Sequence, residues 1–434
     1  MKLQPFSNYQ PSGVQWCPEL PSSWKISTVK RVAKFTTGWT PPSGNASFYG
    51  DEYFWANISD IGPKVLNETN KSVSQLAIDT FNIESSKPGD LLFSFKLSIG
   101  QVSFVGQEMF TNEAIATFKK NQDYDIRWAF YAFPTFIPEN AEENIYGAPL
   151  LNQERIKNAK LFLPPLEEQK LISRYLDKKT SQIDSLINKI EKKIELLKEQ
   201  RTSLINQYVT KGLDTDVEMK NSGNKLVGLI PKHWKVVKAS YILDVRDGTH
   251  DTPTYVDDGV PLVTQKDIFG GVLSFERTNM ISTQDHENIS KRSRVVRNDV
   301  IMSMIGSIGF PTVVETDSEF SIKNVCLFRT SVSDQNPHFI KYVLESNFGI
   351  VQLELGKGGG VQSFVSLEVL RNLKFLIPPR SEQDQIVDLI KSKSQTIDRY
   401  ISLEQRRLSL LNEFRQSFIS SATTGKLRVT EEMI

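Results

Sequence analysis

From Ile183 onward the apolar positions fall at Ile183, Ile187, Ile190, Ile194, Leu197, Leu204 and Tyr208, in alternating steps of four and three, with Arg201 in the one missing place. A second stretch carries Ile397, Ile401, Leu408, Leu411, Phe418 and Ala422, with Glu404 and Arg415 in its polar places. Such steps are a heptad seam along one face of a helix. Each stretch follows a proline pair, Pro164-Pro165 or Pro378-Pro379, and an acid, both of which suit a helix N-terminus. Lys211-Gly212 and Gly425-Lys426 supply stop signals at the far ends. The pattern predicts helices over residues 166–210 and 380–424. Each would be about 65 Å long at about 1.5 Å per residue. One such helix cannot bury its stripe alone. The economical arrangement packs the two as an antiparallel coiled coil; two separate seams for outside partners are the alternative. Arg201, Arg415 and Glu404 are costly if buried unpaired. A cross-helix Glu404–Arg pair and snorkelling to solvent both remain open.

The two helices belong to a larger repetition. Residues 163–184 read LPPLEEQKLISRYLDKKTSQID and residues 377–398 read IPPRSEQDQIVDLIKSKSQTID, an offset of 214 that continues ungapped to Leu213/Leu427. A weaker echo covers the rest: PSSWK (21–25) answers PKHWK (231–235), Gly38 answers Gly248, and FTNEAIATF (110–118) answers FSIKNVCLF (320–328), all at 210. The chain is one unit written twice, a diverged globular part of about 150 residues and a well-kept helix of about 50. The implied layout is a first globular domain over 1–162, a helix over 163–213, a linker and second globular domain over 214–376, and a second helix and tail over 377–434.

Within the globular parts, residues 91–95, 101–105, 114–118, 261–264, 300–304 and 324–328 read as short strands, and 127–136 and 337–346 as helices. The fold class is therefore α+β with an internal pseudo-twofold duplication. The most apolar uncharged stretch, residues 300–314, is too short for a bilayer and is interrupted by Gly and Pro, so it reads as buried strands around a turn. Without an apolar leader at its start, the chain is expected in the cytoplasm.

Composition narrows the function. Fifty-two Lys+Arg against fifty-one Asp+Glu give a formal charge of +1, which excludes a whole-molecule basic field for nucleic acid but not a local patch. Residues 14–150 hold 11 basic and 15 acidic side chains, and residues 224–363 hold 15 and 16. Domains so balanced bind DNA weakly alone, because phosphate neutralisation supplies much of the affinity. Cys17 and Cys326 cannot build a disulfide framework, and the four histidines stand at no metal-ligand spacing. No phosphate-binding GxxxxGK[ST] loop, GxSxG elbow, HExxH helix or amino-methyltransferase signature occurs. Glu168-Gln169-Lys170 has the form of half a nuclease site, but its counterpart Glu382-Gln383-Asp384 loses the lysine, and a helix start explains the acid. Neither a catalytic nor a metal site is expected.

The doubled P-P-x-x-E-Q helix, its T-K-G-L or T-G-K-L end, and the P-x-x-W-K near the start of each globular part resemble the specificity subunit of Type I restriction–modification systems. The resemblance spans the whole chain. It implies two target-recognition domains, each reading one half of a split double-stranded DNA site, with the helices setting the spacer. It implies as partners two modification subunits, which bind S-adenosylmethionine and methylate adenine, and restriction subunits, which translocate and cut. The specificity subunit holds no cofactor and does no catalysis. One departure stands out: Val14-Gln15-Trp16 in the first copy faces Asn224-Lys225-Leu226 in the second, which lacks the family's tryptophan. A coiled-coil scaffold presenting two protein-binding domains is the competing reading.

Base readers should sit on loops held by strands. The first matched pair is 37–47 (TGWTPPSGNAS), offering Thr40, Ser43 and Asn45, and 247–255 (DGTHDTPTY) with its neighbour Arg246, offering Thr249, His250 and Thr252. The second is 96–101 (KLSIGQ), offering Lys96, Ser98 and Gln101, and 304–310 (MIGSIGF), offering Ser307. The dense basic run 291–297 (KRSRVVR), with Lys291, Arg292 and Arg294, is suited to phosphate; its bland reading is a solvated strand edge. Lys357 lies in the glycine-rich 356–360, read as a flexible loop.

Overall fold

The computed structural model describes the chain except residues 1–4, 144–148, 215, 307 and 359–362. It divides into two compact units, one formed by residues up to Lys189 together with Arg407–Ile434, the other by Ile190–Arg406.

In the first unit the main sheet has the order Phe35–Thr37, Ile115–Phe118, Leu91–Ser94, Val102–Val105, antiparallel throughout, with Val65–Leu66 added parallel at the edge. A smaller sheet places Tyr49–Ala56 between Ser72–Val73, antiparallel, and Phe110–Thr111, parallel. In the second unit the main sheet runs Asp244–Asp247, Val325–Arg329, Val300–Ser303, Gly309–Val313, again antiparallel. Its smaller sheet again holds one parallel pair, Val260–Val263 with Ser321–Ile322, beside antiparallel Asn279–Ile281 and Tyr255–Val256. The diverged globular parts thus keep one topology. All six strands read from the sequence are present within a residue or two, as are helices Ile126–Phe136 and Pro337–Glu345. The uncharged stretch is the antiparallel pair Val300–Ser303 and Gly309–Val313.

The long helices span Leu166–Lys211 and Arg380–Thr423. In each unit the two run antiparallel. Tyr175 packs on Phe418 and Asp184 meets Arg415 in the first unit; Lys193 meets Glu404 and Arg201 meets Asp398 in the second. Of the seam, Ile183, Ile190, Ile194, Tyr208, Ile397 and Ala422 are buried. Ile187, Leu197, Ile401, Leu408 and Leu411 are half-buried at its edges. Both cores draw on both helices. Trp24, Trp128, Phe133 and Phe162 pack with Ile172 and Leu176 of the first helix and Ile419 and Ala422 of the second. Trp234, Phe328, Phe339 and Phe375 pack with Ile386 and Ile390 of the second and Ile205 and Val209 of the first.

Across the seam Glu404 meets a lysine. Glu404 stands where the first helix has Ile190, and the antiparallel register sets Lys193 across from it at 2.5 Å. The two arginines instead pair with aspartates: Arg201 Nε lies 2.9 Å from Asp398 Oδ1, and Arg415 Nε 2.7 Å from Asp184 Oδ1. Both partners are related by the offset of 214, so one ion pair occurs twice with its ends exchanged.

The P-P-x-x-E-Q motif does more than start a helix. Glu168 Oε1 accepts from the indole N–H of buried Trp24 at 3.1 Å, and Glu382 Oε1 accepts from that of Trp234 at 3.1 Å. Buried Gln169 donates to Pro164 O and accepts from the backbone N–H of Asp125, the N-cap of helix Ile126–Phe136. Gln383 does the same with Pro378 O and Asn336, the N-cap of helix Pro337–Glu345. The motif therefore ties the P-x-x-W-K turn, the long helix and the domain helix together. The departure at Trp16 also has a consequence. Its ring packs, tilted, against Phe136 at 5.8 Å and Phe162 at 5.1 Å, whereas Leu226 is 55 % exposed. Among the described residues no helix is long and apolar enough to cross a membrane.

Glu168→Ala leaves the Trp24 N–H buried without its acceptor, and Glu382→Ala does the same to Trp234. Each is expected to destabilise its unit by about 1–3 kcal/mol, read from urea unfolding of the full chain. Glu168→Gln, which keeps an acceptor, should lose less.

Candidate nucleic-acid interface

The first loop pair leaves the main sheet at Gly38 and Gly248, and sterics demand glycine there. A Cβ on Gly38 would stand 1.7 Å from Thr111 O, and one on Gly248 2.2 Å from Ile322 O. The loops cross directly over the end of the small sheet, with Trp39 N–H donating to Thr111 O and Thr249 N–H to Ile322 O. This crossing aims the following residues at the turn that joins the two sheets, Asn112 to Ala114 in one unit and Lys323-Asn324 in the other.

In the first unit Thr40 Oγ1 donates to Glu113 Oε2, and Lys96 Nζ lies 3.8 Å from Glu113 Oε1. Two candidate loops thereby converge on a residue that the sequence reading did not single out. The Thr40 hydrogen bond, with Lys96 nearby, holds the Glu113 carboxyl below the usual range and so ionised. Between Lys96 and Ser98, Leu97 adopts φ 56° and is 89 % exposed, so the loop tip presents a bare apolar side chain. The other candidates separate from this cluster. Asn45 caps the short turn Ala46–Phe48 by accepting from Ser47 N–H at 3.1 Å, and Ser43 is exposed nearby. Ser98 is exposed, and its carbonyl accepts from Gln101 N–H. Gln101 lines a separate cleft of about 570 Å³ beside Phe130, Tyr131 and Arg415.

In the second unit His250 Nδ1 lies 2.9 Å from Asn324 Oδ1 and its Nε2 3.0 Å from Asp247 Oδ2. Both partner atoms accept, so both bonds are made only by the imidazolium, which donates from each nitrogen. The Asn324 and Asp247 hydrogen bonds raise the His250 pKa above its ordinary 6.5. Buried Asp247 also takes an ion pair from Arg292. Arg246 pairs with Asp244 at 2.8 Å and donates to Arg292 O, and Lys323 Nζ donates to Thr252 Oγ1 at 2.6 Å. Thr249, Thr252 and Arg292 line a cleft of about 440 Å³. Lys323 and Asn324 line a neighbouring one of about 270 Å³ with Gln265 and Asn279.

The basic run is not a strand edge. Lys291 and Arg292 end the helix Thr283–Ser293, which Ser282 caps and whose last turn favours cations. Lys291 donates to Asn288, Arg294 faces Glu319 at 3.5 Å, and Arg297 grips Asp317 with bonds of 2.8 and 2.7 Å. Such exposed pairs are screened by solvent and weak, so a phosphate can displace them. Lys357 pairs with Glu354 and lies in the short strand Lys357–Gly358, antiparallel to Phe364–Val365, which gives the glycine-rich segment an ordered start. Ser307 lies outside the described residues. The residues missed, Glu113, Lys323 and Asn324, adjoin strands whose sheet partners lead into the first pair of candidate loops.

Both cysteines are buried and free. Among the described residues no three His, Cys, Asp or Glu side chains are grouped to hold a metal ion.

The family described as Type I restriction modification DNA specificity domain matches this chain twice, over residues 21–196 and 231–413. Among curated proteins, the chain is similar to the Type I restriction enzyme MjaVIII specificity subunit of Methanocaldococcus jannaschii, 23% identical over 428 residues and 94% of each chain. It is also similar to the Type I restriction enzyme EcoBI specificity subunit of Escherichia coli, 24% identical over 351 residues, covering 78% of this chain and 74% of that one. A chain solved in work on complex assembly and conformational transition of the type I R-M system superposes with a TM-score of 0.65 at 15% identity, covering 94% of this chain and 99% of that one. At that identity the likeness is one of fold.

The raised His250 pKa fixes the sign of a pH effect. Protonation of His250 stabilises the 247–254 loop fully below pH 6.5, and the contribution is lost as pH rises through the higher folded value. An NMR titration of the ring should give a midpoint above 6.5, and Asn324→Ala, which removes the leading hydrogen bond, should move it down.

Proposed function

The chain belongs to the Type I restriction–modification DNA specificity family, and from that premise we propose how its parts divide the work. It is a DNA specificity subunit and is itself non-catalytic. Each unit reads one half of a split DNA site, and the long helices fix the untouched spacer between them.

The observation that carries this reading is one scaffold with two sets of loop chemistry. Both units keep the same order of four antiparallel main-sheet strands and the same glycine crossing. Yet Thr40 and Glu113 occupy in one unit the region that His250, Asn324 and Lys323 occupy in the other. A duplicated framework with unlike side chains at its loops suits two half-sites of different sequence.

Partner docking has its own support. The helices keep apolar side chains exposed away from the seam: Leu186, Leu410 and Phe414 in the first unit, and Leu196, Tyr400 and Leu403 in the second. Leu186 answers Tyr400 and Leu196 answers Leu410 at the offset of 214. Apolar surface repeated this way suits two copies of one partner, the modification subunit. That subunit brings S-adenosylmethionine and the adenine methylation; restriction subunits join the same complex to translocate and cut. The near-even charge of both globular parts implies that tight binding needs the modification subunits to close around the duplex. This work on DNA places the protein in the cytoplasm.

The test is a single-molecule methylome of the host with and without the gene. A split adenine-methylated motif should vanish on deletion, and exchange of residues 14–150 for another version should change one half of the motif only. An unchanged methylome, with the modification subunits expressed, would overturn the reading in favour of a protein scaffold.

A further inference from the structure

The turn that joins the two sheets of each unit has the same neighbours in both copies. In the first unit it leaves Phe110–Thr111 and enters Ile115–Phe118; in the second it leaves Ser321–Ile322 and enters Val325–Arg329. Its backbone is held by equivalent bonds, Asn112 N–H to Ala56 O and Lys323 N–H to Val263 O, both 2.9 Å. Its side chains reach the loop beyond the glycine crossing: Glu113 to Thr40, Asn324 to His250, Lys323 to Thr252. What differs is the charge. The first turn carries a carboxylate that is 52 % exposed, and the second a lysine that lines a cleft with Gln265 and Asn279.

We propose that this turn is a base-reading element, with Glu113 accepting from the N4 amino group of a cytosine in one half-site and Lys323 donating to O6 and N7 of a guanine in the other. The assignment rests on the DNA-reading function above. A carboxylate only accepts, so it needs a base-edge donor. Adenine N6 lies between two acceptors, its own N7 and O4 of the paired thymine, and both repel a carboxylate, whereas cytosine N4 has an acceptor, O6 of the paired guanine, on one side only. An ammonium only donates, and guanine alone offers two adjacent acceptors there. Thr40 uses one lone pair of Glu113 Oε2 and fixes the carboxylate's rotation, while Lys96 at 3.8 Å offsets its repulsion by the phosphates. Both side chains are held on short turns between strands, so neither has to be ordered when DNA arrives.

The experiment uses the full chain with its own modification subunits, expressed in a host free of other adenine methylation, and reads the methylome of wild type, Glu113→Ala, Glu113→Gln and Lys323→Ala. Wild type comes first: absence of a split motif there defeats the DNA-reading function itself, before any variant is considered. Given that motif, Glu113→Ala should relax one cytosine position in one half by about tenfold or more in discrimination, with the other half unchanged. Glu113→Gln should admit adenine at that position, since a carboxamide both donates and accepts. Lys323→Ala should relax one guanine in the opposite half. An unchanged motif in the Glu113 variants would overturn the proposal, as would relaxation in both halves at once. Loss of all methylation in both Glu113→Ala and Glu113→Gln would overturn it too, because Glu113 would then be supporting the fold and not one base.

Discussion

A helix of 46 residues with a single apolar stripe has nowhere to put that stripe except against another helix of the same kind. That constraint organises the molecule. Each unit is completed by one end of the helix that follows it and the opposite end of the helix from the other copy. Antiparallel pairing is what lets Asp184 meet Arg415 and Asp398 meet Arg201. A single sequence solution thus serves both ends of the pair. Glu404 is the exception that register explains. It replaces an isoleucine of the seam, is buried, and is tolerated because Lys193 stands opposite.

The second constraint is the joint between helix and domain. A proline pair ends a strand and starts the helix, leaving the carbonyl of its first proline, which lies outside the helix, and the neighbouring N-cap amide to be satisfied. Gln169 and Gln383 perform both tasks with one carboxamide, whose amine donates to a proline carbonyl while its oxygen accepts from the next helix's N-cap. Glu168 and Glu382 add the indole of the P-x-x-W-K turn. The motif is short because three elements meet at two consecutive side chains. Its doubling follows from the doubling of the joint.

These features differ in how far they could be read from the chain. Heptad steps, proline stops and ungapped repetition are local and periodic, so the helices, their ends and the duplication were legible, and so were most of the main-sheet strands, which are short apolar runs bounded by turn residues. The partner of Glu404 was not, because it depends on register between residues about 200 apart in sequence. The strand-edge alternative for the run 291–297 rested on a short alternation, and the run instead begins at the end of a helix. The cap at Ser282 and the acids in the preceding helix decide the matter, and they lie outside the run. Among the interface candidates, Thr40, Lys96, His250, Thr252 and Arg292 lie where two loops meet, whereas Asn45 caps a turn and Gln101 faces another cleft. A loop position says that a side chain is free of the core, not which neighbour it faces.

The residues that bring those loops together sit at strand ends, where sequence patterns are least informative. Glu113, Lys323 and Asn324 are polar residues in two- or three-residue turns, and composition alone makes them ordinary. Their importance comes from sheet topology: one turn bridges both sheets, and the glycine crossing carries the neighbouring loop over it. A change of side chain at this turn leaves the backbone hydrogen bonds intact while altering the chemistry presented to solvent. The framework therefore tolerates divergence where recognition needs it and resists divergence at the Trp–Glu and proline–Gln joints. That difference in tolerance accounts for a chain whose helices still align without a gap while its globular parts align only in short echoes.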